Sequence, residues 1–249
     1  MKAPASVYAI VLDVDWAPDF AIDETAKLLK RLEVHASWFV THASPAIERL
    51  KTDAGFFEIG IHPNFLEGSS HGSTIQEVIN YCLKIAPEAV SMRTHAYWQS
   101  SHLYGYISKA TAITNDASVF MPLVRDLRPA KYWIGNRAIH RIPVFWEDDN
   151  EMKRPTPDLN FLPSKFKRPG LKVFAFHPLL LYLNSNITQT YSALKAKYKN
   201  FAELNSENIR PYINQDAPGV RDFLADLVGY VHQLDHFYWI KEIPAIYKL

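Results

Sequence analysis

Short apolar runs alternate with amphipathic segments along the chain. Runs bounded by turn residues predict buried strands, whereas apolar positions repeating with a helical period predict helices. The predicted strands cover residues 7–12, 36–40, 57–61, 90–92, 113–115, 139–144 and 173–176. Helices are predicted at residues 24–32, 45–50 and 75–83, between the first four of these strands. This alternation is typical of parallel strands joined by crossover helices.

Two of the helices carry start signals. Ser44 precedes Pro45, which predicts an N-cap followed by proline at the first helical position. Ser73 and Gln76 have the spacing of a capping box in front of the third helix. The apolar positions of that helix share one face: Ile75, Val78, Ile79, Cys82 and Leu83.

The second half of the chain is less regular. Residues 150–169 contain several prolines and predict a long ordered loop over the strand ends. Apolar residues at 220–234 predict a late helix, followed by a strand at 237–240. About seven parallel strands, most followed by a helix or a long loop, predict a distorted (β/α) barrel of the α/β class. Residues 188–215 allow three interpretations, namely an insertion, a substrate lid or a subunit contact.

Composition narrows the class of protein. The 249 residues are 48% hydrophobic, and no repeat or change in composition marks a second domain, so we expect one catalytic domain over residues 1–249. The net charge of +1 is spread without a basic run, which argues against a nucleic-acid or anionic-membrane partner and favours a small molecule or glycan. The single cysteine, Cys82, excludes a disulfide framework and a cysteine zinc site.

The same patterns bear on cellular location. No stretch of the chain approaches the roughly 20 apolar residues that a membrane span needs. Residues 1–6 lead directly into the first predicted strand and lack a signal-peptide pattern. We therefore expect a cytoplasmic protein with no membrane span.

Polar residues of the kinds used in catalysis follow the predicted strands. They are Asp13, Asp15, His42, His62, Arg93, His95, Asp116 and His177. Because the carboxyl ends of parallel barrel strands form one face, we expect these side chains to gather there.

Asp13 and Asp15 are the first of these residues. Positions two apart on a strand point to the same face, so both carboxylates can enter one pocket and hold a metal ion. The alternative interpretation is an ordinary turn, since residues 13–19 are rich in turn formers.

Three histidines and an arginine suggest further roles. His62 and His71, together with Asp15, could form a facial metal site with open positions, although a lone histidine is often only a hydrogen-bonded core residue. His177 repeats the strand–His–Pro arrangement of His62 and suits a general acid. Arg93 could orient a carboxylate, or form an ordinary surface ion pair.

Aromatic side chains in predicted loops are candidates for stacking on a sugar ring. Trp16, Tyr97, Trp98 and Trp146 lie beside the polar residues, although most aromatic residues in a chain with 13% aromatics belong to the core. The expected substrate-binding residues are His95, Asn64, Trp146 and Asp148.

The order of these motifs over residues 7–181 resembles the polysaccharide deacetylase family of the carbohydrate esterase family 4 type. Residues 12–15 are similar to its Asp-x-Asp motif, and residues 58–62 to the segment that leads into its metal-binding histidine. Residues 92–95 resemble its arginine motif, and residues 172–178 its last motif.

This resemblance implies roles for individual residues. Asp13 would be the catalytic base, Arg93 would orient it, and His177 would be the general acid. Asp15 and His62 would bind one divalent metal ion, expected to be Zn²⁺. The implied substrate is an acylated sugar or oligosaccharide of surface-polysaccharide synthesis, such as that of an O-antigen.

Two positions depart from the family pattern. The family places a second metal histidine four residues after the first, where this chain has Leu66. His71 is the expected replacement, with His42 and His95 as alternatives. His95 also stands where the family's Arg-x-Pro motif has proline.

Two other classes of function stay open at this point. A metal-free glycosidase could pair Asp13 with Asp148 or Asp149. A sugar-binding protein without catalysis is the other alternative, because the expected histidine is missing at Leu66. The sequence favours a metal-dependent deacetylase with Asp15, His62 and His71 as ligands.

Overall fold

A sheet of nine strands organises the part of the chain that the computed structural model describes, residues 6–198 and 200–249. The strands are β1 (Ser6–Asp13), β2 (Ala36–Val40), β3 (Phe57–Ile61), β4 (Ser91–Met92), β5 (Asn115–Asp116), β6 (Ala130–Ile134), β7 (Arg137–Arg141), β8 (Trp146–Glu147) and β9 (Gly170–Phe176). Their spatial order is β6-β7-β5-β4-β3-β2-β1-β9-β8.

The sheet is parallel apart from the β6–β7 hairpin. It curls into a half-barrel, and a parallel bridge between Phe120 and Val144 links the chain after β5 to the chain before β8. The predicted α/β class with a distorted barrel is confirmed. The two additional strands are β6, whose residues are mostly exposed and have little apolar pattern, and β8, which is only two residues long.

Ten helices accompany the sheet within the described residues. They are α1 (Asp19–Arg31), α2 (Pro45–Thr52), α3 (Ile75–Ile85), α4 (Ser101–Ala110), α5 (Asp148–Met152), α6 (Pro163–Phe166), α7 (Pro178–Leu183), α8 (Thr188–Lys197), α9 (Val220–His232) and α10 (Ile243–Ile246). Short 3₁₀ turns lie at His95–Tyr97, Phe201–Glu203, Arg210–Tyr212 and Ile240–Glu242. No described helix is long and apolar enough to cross a membrane.

Helix starts follow local capping. Ser44 caps α2 by accepting a hydrogen bond from the Ile47 N–H, as predicted. The capping box of α3 was predicted one residue too early, because Thr74 and Glu77 form it instead of Ser73 and Gln76. Ser73 still takes part, since its N–H and hydroxyl both donate to the Glu77 carboxylate.

Several predicted bounds were wrong in detail. The segment 150–169 is not all loop, since α5 ends within it and α6 begins at Pro163. Residues 237–240 do not form a strand. They make one bridge between Tyr8 and Phe237 and then enter a 3₁₀ turn.

Alternation along β1 separates two apolar clusters. Tyr8, Ile10 and Leu12 pack with the helices, whereas Val7, Ala9 and Val11 belong to a second cluster enclosed by the curled sheet. Asp13 continues the enclosed row and is 2% exposed. The strand that brings hydrophobic residues into the barrel therefore also brings a carboxylate to its carboxyl edge.

Gly60 has the same positional importance on β3. A Cβ at this residue would lie 2.6 Å from the Phe39 ring and 2.7 Å from the Ser91 carbonyl oxygen. Only glycine fits this close approach, which lets β3 run on to His62 at the same edge.

Candidate active site

The carboxyl edge of the sheet collects the polar residues that follow the strands. Asp13 ends β1, and Arg93, His62 and His177 directly follow β4, β3 and β9. All four belong to one connected set of contacts, described below. The structure therefore brings these side chains together at the strand ends, as predicted.

Three side-chain atoms at this edge lie close together and form a triangle. Asp15 Oδ1 lies 3.1 Å from His62 Nε2 and 3.0 Å from His95 Nδ1, and the two nitrogens are 3.3 Å apart. A tetrahedral ion with bonds of about 2.0–2.1 Å places its ligand atoms about 3.3 Å apart, so this triangle has the dimensions of one face of a metal site. Two imidazoles and a carboxylate are also a donor set suited to Zn²⁺.

His71 lies elsewhere, in contrast to the prediction that it would be the third ligand. Its Nδ1 accepts a hydrogen bond of 3.1 Å from the Asn64 N–H, and its ring stacks on Tyr81 with centroids 4.7 Å apart. Burial lowers the pKa of His71 to about 4. Its loop is fixed by such contacts and does not fold over the strand end, so His71 supports the loop and Trp16 behind the site.

The other alternative, His42, is also outside the triangle. Its Nδ1 is 3.0 Å from the hydroxyl of Thr41, and burial lowers its pKa. The geometry therefore favours His95, which was both an alternative third ligand and an expected substrate-binding residue.

Two loops with left-handed backbone aim the side chains of the triangle. Asp15 and Trp16 have φ of 44° and 55°, and Ala96 and Tyr97 have φ of 53° and 56°. Non-glycine residues rarely adopt this conformation, and such strain concentrates at functional sites. The Trp16 N–H donates to Thr41 Oγ1 at 3.1 Å, which helps to hold the first of these turns.

Asp13 forms a buried ion pair with Arg93. Arg93 Nε lies 2.6 Å and 2.8 Å from the two carboxylate oxygens, and a second guanidinium nitrogen lies 2.5 Å from Glu147. Arg93 is 1% exposed, so the alternative of a surface ion pair is wrong. Asp13, Glu147 and His177 also have ligand atoms within 4.8 Å of one another, but the guanidinium already compensates the first two carboxylates.

His177 is held by Asp148. Its Nδ1 lies 2.6 Å from Asp148 Oδ1, its backbone N–H donates to Oδ2 at 2.8 Å, and its Nε2 lies 3.5 Å from Asp15 Oδ2. Burial alone lowers the pKa of His177, but the ion pair with Asp148 outweighs burial and raises it well above the usual value. The imidazole is therefore fixed with its Nε2 directed towards the triangle.

Two of the expected substrate contacts, Trp146 and Asp148, are buried. Trp146 is 5% exposed and stacks on Phe223 with centroids 4.3 Å apart, so it belongs to the core. Asp148 is fully buried and positions His177. Its role could have been suspected from the acidic run 147–149, which follows an apolar run as the other site residues do.

The remaining candidates shape the surroundings. Asn64 accepts a hydrogen bond from the Leu66 N–H and holds His71, so it stabilises a loop. Asp116 is fully buried and pairs with Arg141 at 2.7 Å. Trp98 stacks on Phe65 with centroids 4.5 Å apart.

A pocket of 420 Å³ opens beside the triangle. It is lined by Asp15, Trp16, His95, Tyr191, Lys195, Tyr198, Asn200 and Phe201. The segment 188–215, which the sequence left with three interpretations, supplies its outer wall. Burial raises the pKa of Tyr191, and nearby Asp15 raises it further, so its phenol keeps a proton that it can donate.

The groups at the carboxyl edge of this curled sheet are of the kinds that bind a metal ion and transfer protons. A family model for WbmS-like polysaccharide deacetylases matches residues 10–195. The chain belongs to this family, as its motifs suggested.

Solved structures agree with this membership. A Bordetella bronchiseptica protein, WbmS, assigned to the polysaccharide deacetylases and to O-antigen biosynthesis, is 28% identical, with a TM-score of 0.77 over 90% of each chain. The fold is shared by Bacillus subtilis peptidoglycan deacetylase PdaC, at 10% identity and a TM-score of 0.52 over 100% of this chain and 94% of that one. It is also shared by the Xyl-CE4 domain of a multidomain xylanase from the hindgut metagenome of Trinervitermes trinervoides, at 9% identity and a TM-score of 0.52 over 99% of this chain and 93% of that one. A comparison with curated proteins finds no match.

Proposed function

We propose that this protein is a metal-dependent hydrolase that removes an N-acetyl, or another acyl, group from a sugar of surface-polysaccharide synthesis. Family membership supports the class of reaction, and the likeness to the Bordetella protein supports an O-antigen type of polysaccharide. Water cleaves the acyl C–N bond and leaves a carboxylic acid and a free amine on the sugar.

Asp15, His62 and His95 would hold one divalent cation, which we propose is Zn²⁺. Such an ion supplies a Lewis acid that polarises the acyl carbonyl and acidifies water. Burial by itself raises the pKa of the Asp15 carboxyl. The neighbouring imidazoles of His62 and His95 outweigh burial and hold this pKa well below the usual range. The carboxylate therefore stays a charged ligand.

Asp13 is the base that accepts a proton from the attacking water. Arg93 compensates its charge and fixes its orientation through two short contacts. Glu147 and the Ala117 carbonyl, which accepts at 2.9 Å, hold the guanidinium in turn.

His177 is the general acid that donates its Nε2 proton to the departing amine. Asp148 stabilises the imidazolium and leaves Nε2 directed at the site. A positioned acid of this kind contributes on the order of 10² to 10⁴ in rate.

The observation that carries this proposal is the proximity of three distinct units: the Asp15–His62–His95 triangle, the Asp13–Arg93 pair and the His177–Asp148 pair. A glycosidase is disfavoured by the same contacts. Both oxygens of Asp148 accept hydrogen bonds from His177, so this carboxylate is engaged in holding the imidazole and is not free to act as one of the two carboxyl groups of a glycosidase.

The test is acetate release from N-acetylated sugars by the protein loaded with Zn²⁺. We expect release that a chelator abolishes and added metal restores. Asp13→Asn and His177→Ala should each remove most turnover, while Lys109→Gln, an exposed change on α4, serves as the control. Undiminished activity after chelation, or in Asp13→Asn, would refute the mechanism.

A further inference from the structure

One wall of the 420 Å³ pocket has no part in the proposed reaction. It consists of α8 and the turn after it, which contribute Tyr191, Lys195, Tyr198, Asn200 and Phe201. The facing wall consists of Asp15, Trp16 and His95. A sugar bound in this pocket with its acyl group at the triangle therefore lies against α8.

Lys195 places a positive charge on this wall. Residues four apart on a helix are neighbours, and Lys195 Nζ lies 4.5 Å from the centroid of the Tyr191 ring. A cation–π contact of this kind positions the ammonium group without neutralising it. None of the ion pairs within 4.0 Å among the described residues includes Lys195, whereas Lys153 near the site pairs with Asp149.

A lysine in the last turn of a helix has an ordinary explanation, since it complements the helix dipole. Lys197 shares that property, yet it does not line the pocket. Two residues correspond to about 200° around a helix, so Lys195 and Lys197 lie on nearly opposite faces. The helix dipole explains why both lysines occur in this turn. It does not explain why Lys195 is directed into the pocket beside Tyr191.

The rest of the wall suits a sugar ring. Tyr191 and Phe201 lie with ring centroids 6.4 Å apart, and Tyr198 adds a third aromatic side chain. Aromatic surfaces pack against the apolar faces of a ring, and a phenol can hydrogen-bond its hydroxyls. The wall thus combines apolar contact with one cation.

We propose that Lys195 binds a negatively charged group of the substrate, so that the sugar deacetylated here is an acidic one. The charged group is a carboxylate or a phosphate, since both are anions that an ammonium group binds. This inference rests on the proposed deacetylase function and narrows its substrate class.

The experiment measures binding separately from turnover. Zn²⁺-loaded protein carrying Asp13→Asn is titrated calorimetrically with an N-acetylhexosaminuronic acid, an N-acetylhexosamine 1-phosphate and the neutral N-acetylhexosamine. We expect one acidic sugar to bind about tenfold more tightly than the neutral one at low salt, and salt to reduce that difference. The preferred acidic sugar identifies whether the group is a carboxylate or a phosphate.

Lys195→Gln, introduced into the Asp13→Asn protein, should abolish the preference for the acidic sugar and leave binding of the neutral sugar unchanged. Lys197→Gln in the same protein should retain the preference. Equal binding of acidic and neutral sugars, a preference that survives Lys195→Gln, or no binding of any of the three overturns the inference. Failure of the deacetylase proposal has a different signature. In that case the preference for acidic sugars is intact, but the chain without Asp13→Asn releases no acetate from any of them.

Discussion

Asp13 and Glu58 are both buried carboxylates inside the curled sheet, but they lie towards opposite ends of it. Glu58 accepts hydrogen bonds from the Ser37 hydroxyl at 2.5 Å, the Ser91 hydroxyl at 2.6 Å and the Lys241 N–H at 3.2 Å. Asp13 instead contacts the guanidinium of Arg93. Neutral donors satisfy one carboxylate, whereas a cation satisfies the other.

The difference separates a structural carboxylate, Glu58, from the proposed catalytic one, Asp13. Burial raises the pKa of Glu58, and its hydroxyl donors only partly offset that effect, so its contacts tie the C-terminal 3₁₀ turn to the sheet. A pocket of 440 Å³ also lies beside Glu58, but it has no histidine in its lining. Burial and a nearby cavity do not make an active site without groups that bind a metal and transfer protons.

The largest expected effect tests the metal triangle itself. His95→Ala removes one of three ligands, so we expect metal content to fall strongly and activity to be lost. His71→Ala is the matched control, because its imidazole is buried in the same region but outside the triangle. Metal analysis of the two purified variants decides whether His95 or His71 is the third ligand. Metal loss in His71→Ala alone would assign His71 instead of His95.

The next effect concerns the base at the catalytic end. Asp13→Asn keeps the shape of the side chain but cannot accept the proton, so we expect turnover to fall on the order of 10²- to 10⁴-fold. Metal content should stay near that of the unchanged protein, because Asp13 is not in the triangle. Parallel turnover and metal measurements separate this outcome from a loss of ligand.

Sequence patterns could identify much of this end of the molecule. Alternation on β1 and the strand–His–Pro pattern predicted that Asp13, His62 and His177 would meet. The direction of His95 could not be read, because it depends on the left-handed turn at Ala96 and on contacts far apart in the chain. The burial of Trp146 could not be predicted for a related reason, since the short strand β8 gives almost no alternation to read.

A smaller effect is expected where a residue acts through another. Asp148→Asn should lower kcat by at most about 10²-fold with KM little changed, because it weakens the support of His177 without touching the pocket wall. Steady-state kinetics with an acetylated sugar measure this separation. A rise in KM alone would instead place Asp148 against the substrate.

The smallest effect on activity belongs to the structural carboxylate. Glu58→Gln should leave kcat/KM within about twofold and change the pH dependence of stability instead. A carboxyl whose pKa is raised in the folded state keeps its proton to a higher pH there than in the unfolded chain. The stability of the protein therefore falls as the pH rises from the ordinary pKa of 4.5 towards the raised pKa of Glu58. Denaturant unfolding across that range should show a flatter profile in Glu58→Gln, and an unchanged profile would assign the slope to other groups.

In the proposed mechanism the metal ion is held by Asp15, His62 and His95. The most direct measurement is an anomalous diffraction map at the zinc absorption edge, from crystals of the Zn²⁺-loaded protein. We expect one strong peak about 2.0–2.2 Å from an oxygen of Asp15, from His62 Nε2 and from His95 Nδ1. A peak coordinated by His71, or no peak at this edge of the sheet, would contradict it.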